Sequence, residues 1–308
     1  VSRKPFEQQL AALEELRGHA CEAGAVEGLR KALTNRNNYI VAKASNIAGE
    51  NGLKALVPDM VGALDRFFLD PAKSDPQCWA KNALIQALAC MGHDEAPVYI
   101  RGLRHVQMEA VWGGQEDTAC ALRAHCALAL VECRDLPDME LLSYLLEPLA
   151  DPDKNVRIQA ARAIGRVGRP EAALLLRLRA LTGDDEPEML GACFSSLLSI
   201  EGRAGVTFVS RFLDAREDTA GEAAVALALM RDADALAALC KRWKMERRPA
   251  VAEVLLSAIV LSRLPEGVAF LTDLIGSDSD ARAQVLAAVG RSGSQELQRE
   301  FEKRFPID

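Results

Sequence analysis

The chain has 308 residues, 49% of them hydrophobic but only 5% aromatic, so its core has to be built from Leu, Ala, Val and Ile. That mix favours packed helices over sheets. With 44 acidic against 37 basic residues the net charge is −7, which speaks against the positive field that non-specific nucleic-acid binding needs. No apolar run approaches the roughly 20 residues of a membrane-crossing helix. The opening VSRKPFEQQL has no stretch of signal-peptide type, and its lack of Met fits a piece of a longer protein.

Along the chain one pattern returns. Residues 35–52, NRNNYIVAKASNIAGENG, open with polar residues, pass through small and apolar positions at helical spacing, and close on Gly. DPQCWAKNALIQALACMG (75–92) and DTACALRAHCALALVECR (117–134) repeat the arrangement, and DPDKNVRIQAARAIGRVG (151–168) is its clearest form. DEPEMLGACFSSLLSIEG (185–202), DAREDTAGEAAVALALMR (214–231), ERRPAVAEVLLSAIVLSR (246–263) and GSDSDARAQVLAAVGRSG (276–293) follow. Positions equivalent to Val156 fall at Ile40, Ala80, Leu122, Leu190, Thr219, Val251 and Ala281. They lie 29 to 42 residues apart, the range of helical solenoids.

Asp, Asn or Glu at the start of most copies predicts a side-chain cap for the free N–H groups of a first helical turn. Gly at the end of several predicts a left-handed C-terminal cap. Between the copies lie other amphipathic runs, among them LKALVPDMVGALDRFF, APVYIRGLRHVQMEAV and PEAALLLRLRALT. Each run and the copy after it predict one helical hairpin, the run being its first helix and the copy its second. No strand of consequence is expected.

The residues Asp151-Pro152, Val156-Arg157, Ala160-Ala161, Ala163-Ile164-Gly165 and Gly168 carry a family resemblance. The chain resembles HEAT-repeat proteins, most closely the short bacterial HEAT-like repeats first described in phycobilisome lyases. The resemblance implies an all-α fold, a right-handed α-α superhelix of about eight hairpins, running as a single solenoid over residues 1–308. The family's Asp/Arg ladder is interrupted: Lys81, Arg123, Arg157 and Arg282 keep a base at the anchor, while Val41, Gly191, Ala220 and Ala252 do not.

Stacked hairpins of this kind present a concave face lined by the second helices. In the clearest copy the polar stripe is Asn155, Gln159, Arg162 and Arg166. Its equivalents are Tyr39, Lys43, Asn46 and Glu50, then Trp79, Ala83, Gln86 and Cys90, then Ala121, His125, Leu128 and Glu132. Aromatic, polar and charged side chains mix here as they do on recognition surfaces. The protein-binding face is therefore expected at Tyr39, Lys43, Asn46, Trp79, Gln86, His125, Asn155, Gln159, Arg162 and Arg166.

The later stripes are more apolar: Met189, Cys193, Ser196 and Ile200, then Asp218, Glu222, Val225 and Leu229, then Ala250, Val254, Ser257 and Leu261. Either they form an exposed strip that needs covering, or the register drifts and they are core. Two longer turns, residues 68–79 and 108–118, interrupt the rhythm on one edge and carry Trp79 and Trp112 beside Asp70, Asp75, Glu116 and Asp117. They read as exposed binding elements, or as loops with each Trp packed beneath.

Signals for chemistry are sparse. The eight cysteines form no C-x-x-C pair and mostly sit in apolar runs, as reduced thiols of a cytoplasmic protein do. Cys120, His125, Cys126 and Cys133 do not share one helical face, so no metal is expected, nor any other cofactor. GHDE at 92–95 resembles the His-Glu pairs of helical-repeat di-iron hydroxylases, but it has no adjacent His-Glu and no second copy. No Walker A, G-x-G-x-x-G or G-x-S-x-G stands in the chain.

A concave face like that of the helical-repeat DNA glycosylases needs bases, and the stripes offer few: Lys43, Arg162, Arg166 and Arg291. The one basic-aromatic patch is KRWKMERR, 241–248. A bilin lyase like the founding family is the other enzyme alternative, on the repeats alone. The expectation is a non-enzymatic protein-binding scaffold whose partner is a protein or peptide, with neither membrane nor nucleic acid favoured.

Overall fold

The structure, a computed structural model, describes residues 3–277 and 279–305. Asp278, in the last of the repeat copies, lies outside them. Contacts divide the chain into two compact units, residues 1–163 and 164–308.

The first unit holds α1 (Arg3–Arg17), α2 (Ala23–Leu33), α3 (Asn38–Glu50), α4 (Val57–Phe67), the single turn α5 (Pro71–Ser74), α6 (Trp79–Cys90), α7 (Ala96–Leu103), α8 (Cys120–Leu130) and α9 (Asp138–Leu149). The boundary falls within α10 (Lys154–Val167). The second unit holds α11 (Pro170–Thr182), α12 (Pro187–Glu201), α13 (Arg203–Ser210), α14 (Glu217–Leu229), α15 (Ala233–Met245), α16 (Pro249–Ser262), α17 (Pro265–Ser277), α18 (Ser279–Arg291) and α19 (Gln295–Arg304).

Each repeat copy read from the sequence is a helix: α3, α6, α8, α10, α12, α14, α16 and α18. The fold is an all-α array of helical hairpins. First helices pack on second ones, as α4 does on α6, α7 on α8, α11 on α12 and α15 on α16. Second helices stack on one another, α3 on α6 on α8 in the first unit and α12 on α14 on α16 on α18 in the second.

The expected side-chain caps form at α3, α6 and α10, whereas α8, α12, α14 and α16 have no side-chain cap at the N-cap residue. Asn37 accepts from the backbone N–H groups of Tyr39 and Ile40, Asp75 from those of Ala80 and Lys81, and Asp153 from those of Asn155 and Val156. At the other end Gly52, Gly92, Gly168, Gly202 and Gly293, the last residues of five copies, have φ between 56° and 73°. Three copies end in Arg instead; Arg231 (φ 51°) and Arg263 (φ 54°) also have positive φ, whereas Arg134 does not. After α14 and α16 the turn imposes positive φ on a residue other than glycine. An L side chain there costs roughly 1–2 kcal/mol. Arg231→Gly and Arg263→Gly are each expected to raise the Tm by about 2–4 °C in a thermal melt. A lowered Tm for both would show that the arginine side chains offset the strain.

One expectation fails. The helical run through residue 111 stops at Leu103, and residues 108–117 form a hairpin. β1 (Met108–Val111) and β2 (Gly114–Asp117) pair antiparallel, Met108 opposite Asp117 and Val111 opposite Gly114. Trp112 and Gly113 make the turn, which Gly113 permits with φ 91°. The cause lies at Gln107: its N–H donates to the Asp117 carboxylate (3.0 Å), and its carbonyl accepts from the Thr118 N–H (2.9 Å), so the backbone groups a helix would use are spent across the hairpin base.

Candidate binding groove and edge hairpin

α3 and α6 cross closely because Gly49 has no side chain; a Cβ there would lie 2.9 Å from that of Ala87. Beside this crossing a shallow groove of about 260 Å³ opens, lined by Tyr39, Lys43, Asn46, Trp79, Asn82 and Gln86. Trp79 is 52% exposed, and its ring meets that of Tyr39 edge-on with centroids 5.6 Å apart. Phe6 of α1 continues the aromatic row, 6.0 Å from Tyr39. The Lys43 ammonium lies 5.9 Å from the centre of the Tyr39 ring and 3.8 Å from Glu14.

His125 of α8 adjoins the groove. One tautomer satisfies both of its contacts: Nδ1–H donates to Asn82 Oδ1 (3.4 Å), and Nε2 accepts from Gln86 Nε2 (3.3 Å). Burial lowers its pKa from the ordinary histidine value, which favours this neutral form. Five of the ten residues expected on the binding face thus line one groove, and His125 borders it. Asn155, Gln159, Arg162 and Arg166 on α10 are exposed or half-exposed but do not line it. Asn82 was not in the expected set, although it shares a helix face with Trp79 and Gln86.

The two long turns meet at a buried polar network. Asp75 and Lys81 are both fully buried and pair at 3.0 Å. Asp75 also accepts from Asn38 Nδ2 (2.9 Å), and its carbonyl accepts from Gln107 Nε2 (2.9 Å). The Glu109 carboxylate clasps the turn before α6 to the hairpin, accepting from the Gln77 N–H (2.7 Å), the Thr118 hydroxyl (2.6 Å) and Gln107 Nε2 (2.6 Å). Arg123 spans Asp117 (2.6 Å) and Asp151 (2.7 Å), so the family's Asp/Arg ladder is present at this repeat. Neither Trp packs beneath its loop: Trp112 is wholly exposed at the hairpin tip, and Trp79 is half-exposed.

The later stripes resolve piecewise. Met189, Cys193 and Ser196 of α12 are core, whereas Val225 and Leu229 of α14 are exposed. The basic-aromatic patch is largely consumed by its own neighbours. Arg242 pairs with Asp214 (2.9 Å) and Glu246 (2.6 Å), Arg248 pairs with Glu246 (3.0 Å), and Trp243 lies edge-on to Phe270. Arg248 above all holds the Glu246 carboxyl down at about 2. Among the described residues no three His, Cys, Asp or Glu side chains come together as a metal site. All eight cysteines are free thiols, and burial pushes Cys78, Cys133 and Cys240 up to about 11. No helix among the described residues is long and apolar enough to cross a membrane.

The family model for HEAT repeats matches residues 114–197, from the second hairpin strand through most of α12. That stretch is a HEAT-repeat segment, and the helical hairpins before and after it have the all-α arrangement of such repeats. Among curated proteins no sequence relative matches. A solved structure of human deoxyhypusine hydroxylase in complex with glycerol is similar at 18% identity, covering 84% of this chain and 91% of that one, with a TM-score of 0.32.

That comparison corrects one expectation. The structure found similar is that of an enzyme, so the assignment as a non-enzymatic scaffold does not stand. At this TM-score the likeness brings no activity, substrate or residue role to the chain.

Proposed function

We propose that the α3–α6 groove, bordered by His125, binds a segment of a partner protein. The observation that carries this reading is the half-exposed Trp79, set edge-on to Tyr39 above a row of carboxamides. Exposed aromatic rings beside fixed hydrogen-bonding groups are the usual anchors of interfaces. HEAT repeats commonly mediate protein interactions. The proposal is one of recognition, and the same architecture also admits catalysis.

A photo-crosslinking residue installed at position 46 tests it. The expected result is a crosslink to one defined partner segment, lost in a Trp79→Ala, Gln86→Ala double variant of unchanged helicity. If capture survives that variant and is lost on changing Val225 or Leu229 to Glu, the exposed face of α14 is the site and the groove reading falls.

A further inference from the structure

Trp112 finds no cover on its own chain. At the hairpin tip it is 104% exposed, and Met108 and Val111 beside it are 48% and 39% exposed. A large ring held out on a fixed support marks a docking element. The support is fixed here by the Glu109 clasp and the Arg123–Asp117 pair, so little further ordering is lost when the ring is buried.

The α3–α6 groove is complementary. Its volume of about 260 Å³ suits one large side chain, and Tyr39 and Trp79 wall it with aromatic surface. Asn46, Asn82 and Gln86 bring carboxamide groups able to accept from an indole N–H. Charge complementarity is local and limited to one contact: residues 106–118 contain Glu109, Glu116 and Asp117 and no base, and the one base in the groove is Lys43, which lies 3.8 Å from Glu14. Glu116, exposed on β2, is the acid left free to face it.

We propose that Trp112 of one chain docks in the α3–α6 groove of a second copy, and that the second copy's hairpin docks in the groove of the first. This rests on the groove being a binding site and names its occupant. Hairpin and groove belong to the same unit, so two reciprocal contacts close into a two-fold pair, the commonest symmetry of soluble homo-oligomers.

Sedimentation velocity of the full chain at micromolar concentration is expected to show a dimer. Trp112→Ala and Trp79→Ala should each weaken it by on the order of tenfold or more without loss of helicity. Trp112 touches nothing that folds the chain, so its removal isolates docking from stability. Mixing the two variants provides the sharper test. Trp112→Ala keeps an intact groove and Trp79→Ala an intact hairpin, so the mixed pair recovers one of the two contacts and associates more tightly than either variant alone. A monomeric wild type, or a mixture no tighter than its components, overturns the proposal. If the chain is monomeric while Trp79→Ala and Gln86→Ala still abolish the position-46 crosslink, the groove reading stands and only self-docking falls.

Discussion

Replacing Asp75 by Ala is expected to destabilise the first unit by about 3–5 kcal/mol, the usual effect of removing one partner of a buried ion pair. Its carboxylate caps α6 through the N–H groups of Ala80 and Lys81, both at 2.9 Å, and neutralises the Lys81 ammonium in a site with no solvent. Without it, the ammonium keeps the Phe67 carbonyl at 3.4 Å and the Phe68 ring, 5.9 Å to its centroid. Thermal unfolding should show the Tm lowered by roughly 10 °C or more. The companion variant Asp75→Ala, Lys81→Met removes both charges and should recover most of the loss, short of about 1 kcal/mol for the missing cap. If Asp75→Ala alone melts within a degree or two of wild type, the pair is hydrated and the network is not what holds the turn.

The second large effect is expected at Gly165. A Cβ there would lie 2.6 Å from Ser196 Cβ and 3.1 Å from its Cα, so the backbones of α10 and α12 themselves fix the room. Gly165→Leu should cost about 3 kcal/mol, at the upper end of overpacking. Urea unfolding would show it as a lowered midpoint, partly restored by Ser196→Gly. Gly191 makes the contrast. A Cβ there would meet the Glu222 carboxylate, the far end of a flexible side chain that can turn away. Gly191→Ala should therefore be tolerated, helped by the better helix propensity of Ala.

The sequence was legible where one rule governed one element. Small and apolar residues at helical spacing recur in every copy, with an Asp or Asn cap or a terminal glycine in several, so all eight second helices could be read. Misreadings arose where tertiary context decides. Residues 104–111 continue the apolar spacing of α7, and only the Gln107 and Asp117 hydrogen bonds turn them into a hairpin. At α12 the spacing alone left exposed strip and core both open; the stripe is core because neighbours close on it from several sides: Ser196 fills the space over Gly165, and Phe194 packs on Phe212 with centroids 4.6 Å apart.

The groove was legible in part for the same reason. Tyr39, Lys43, Trp79 and Gln86 keep the repeat register, so one helix projects onto the next. The four α10 residues keep that register too, yet they line no part of the groove. Asn82 escaped because the stripe was drawn one position away, through Ala83. The non-enzymatic reading failed differently, since a repeat architecture names no chemistry.

The burial of the thiols has a practical corollary. Of the eight cysteines only Cys21 and Cys90 are exposed, and Cys90 lies one helical turn past Gln86 on α6. A brief maleimide reaction should go to these two, and Cys21→Ser leaves Cys90 as the readily labelled site. A fluorophore or spin label placed there would sit at the end of the groove without any engineered residue. Its signal would report occupancy directly, whether the occupant is another protein or a second copy of this chain.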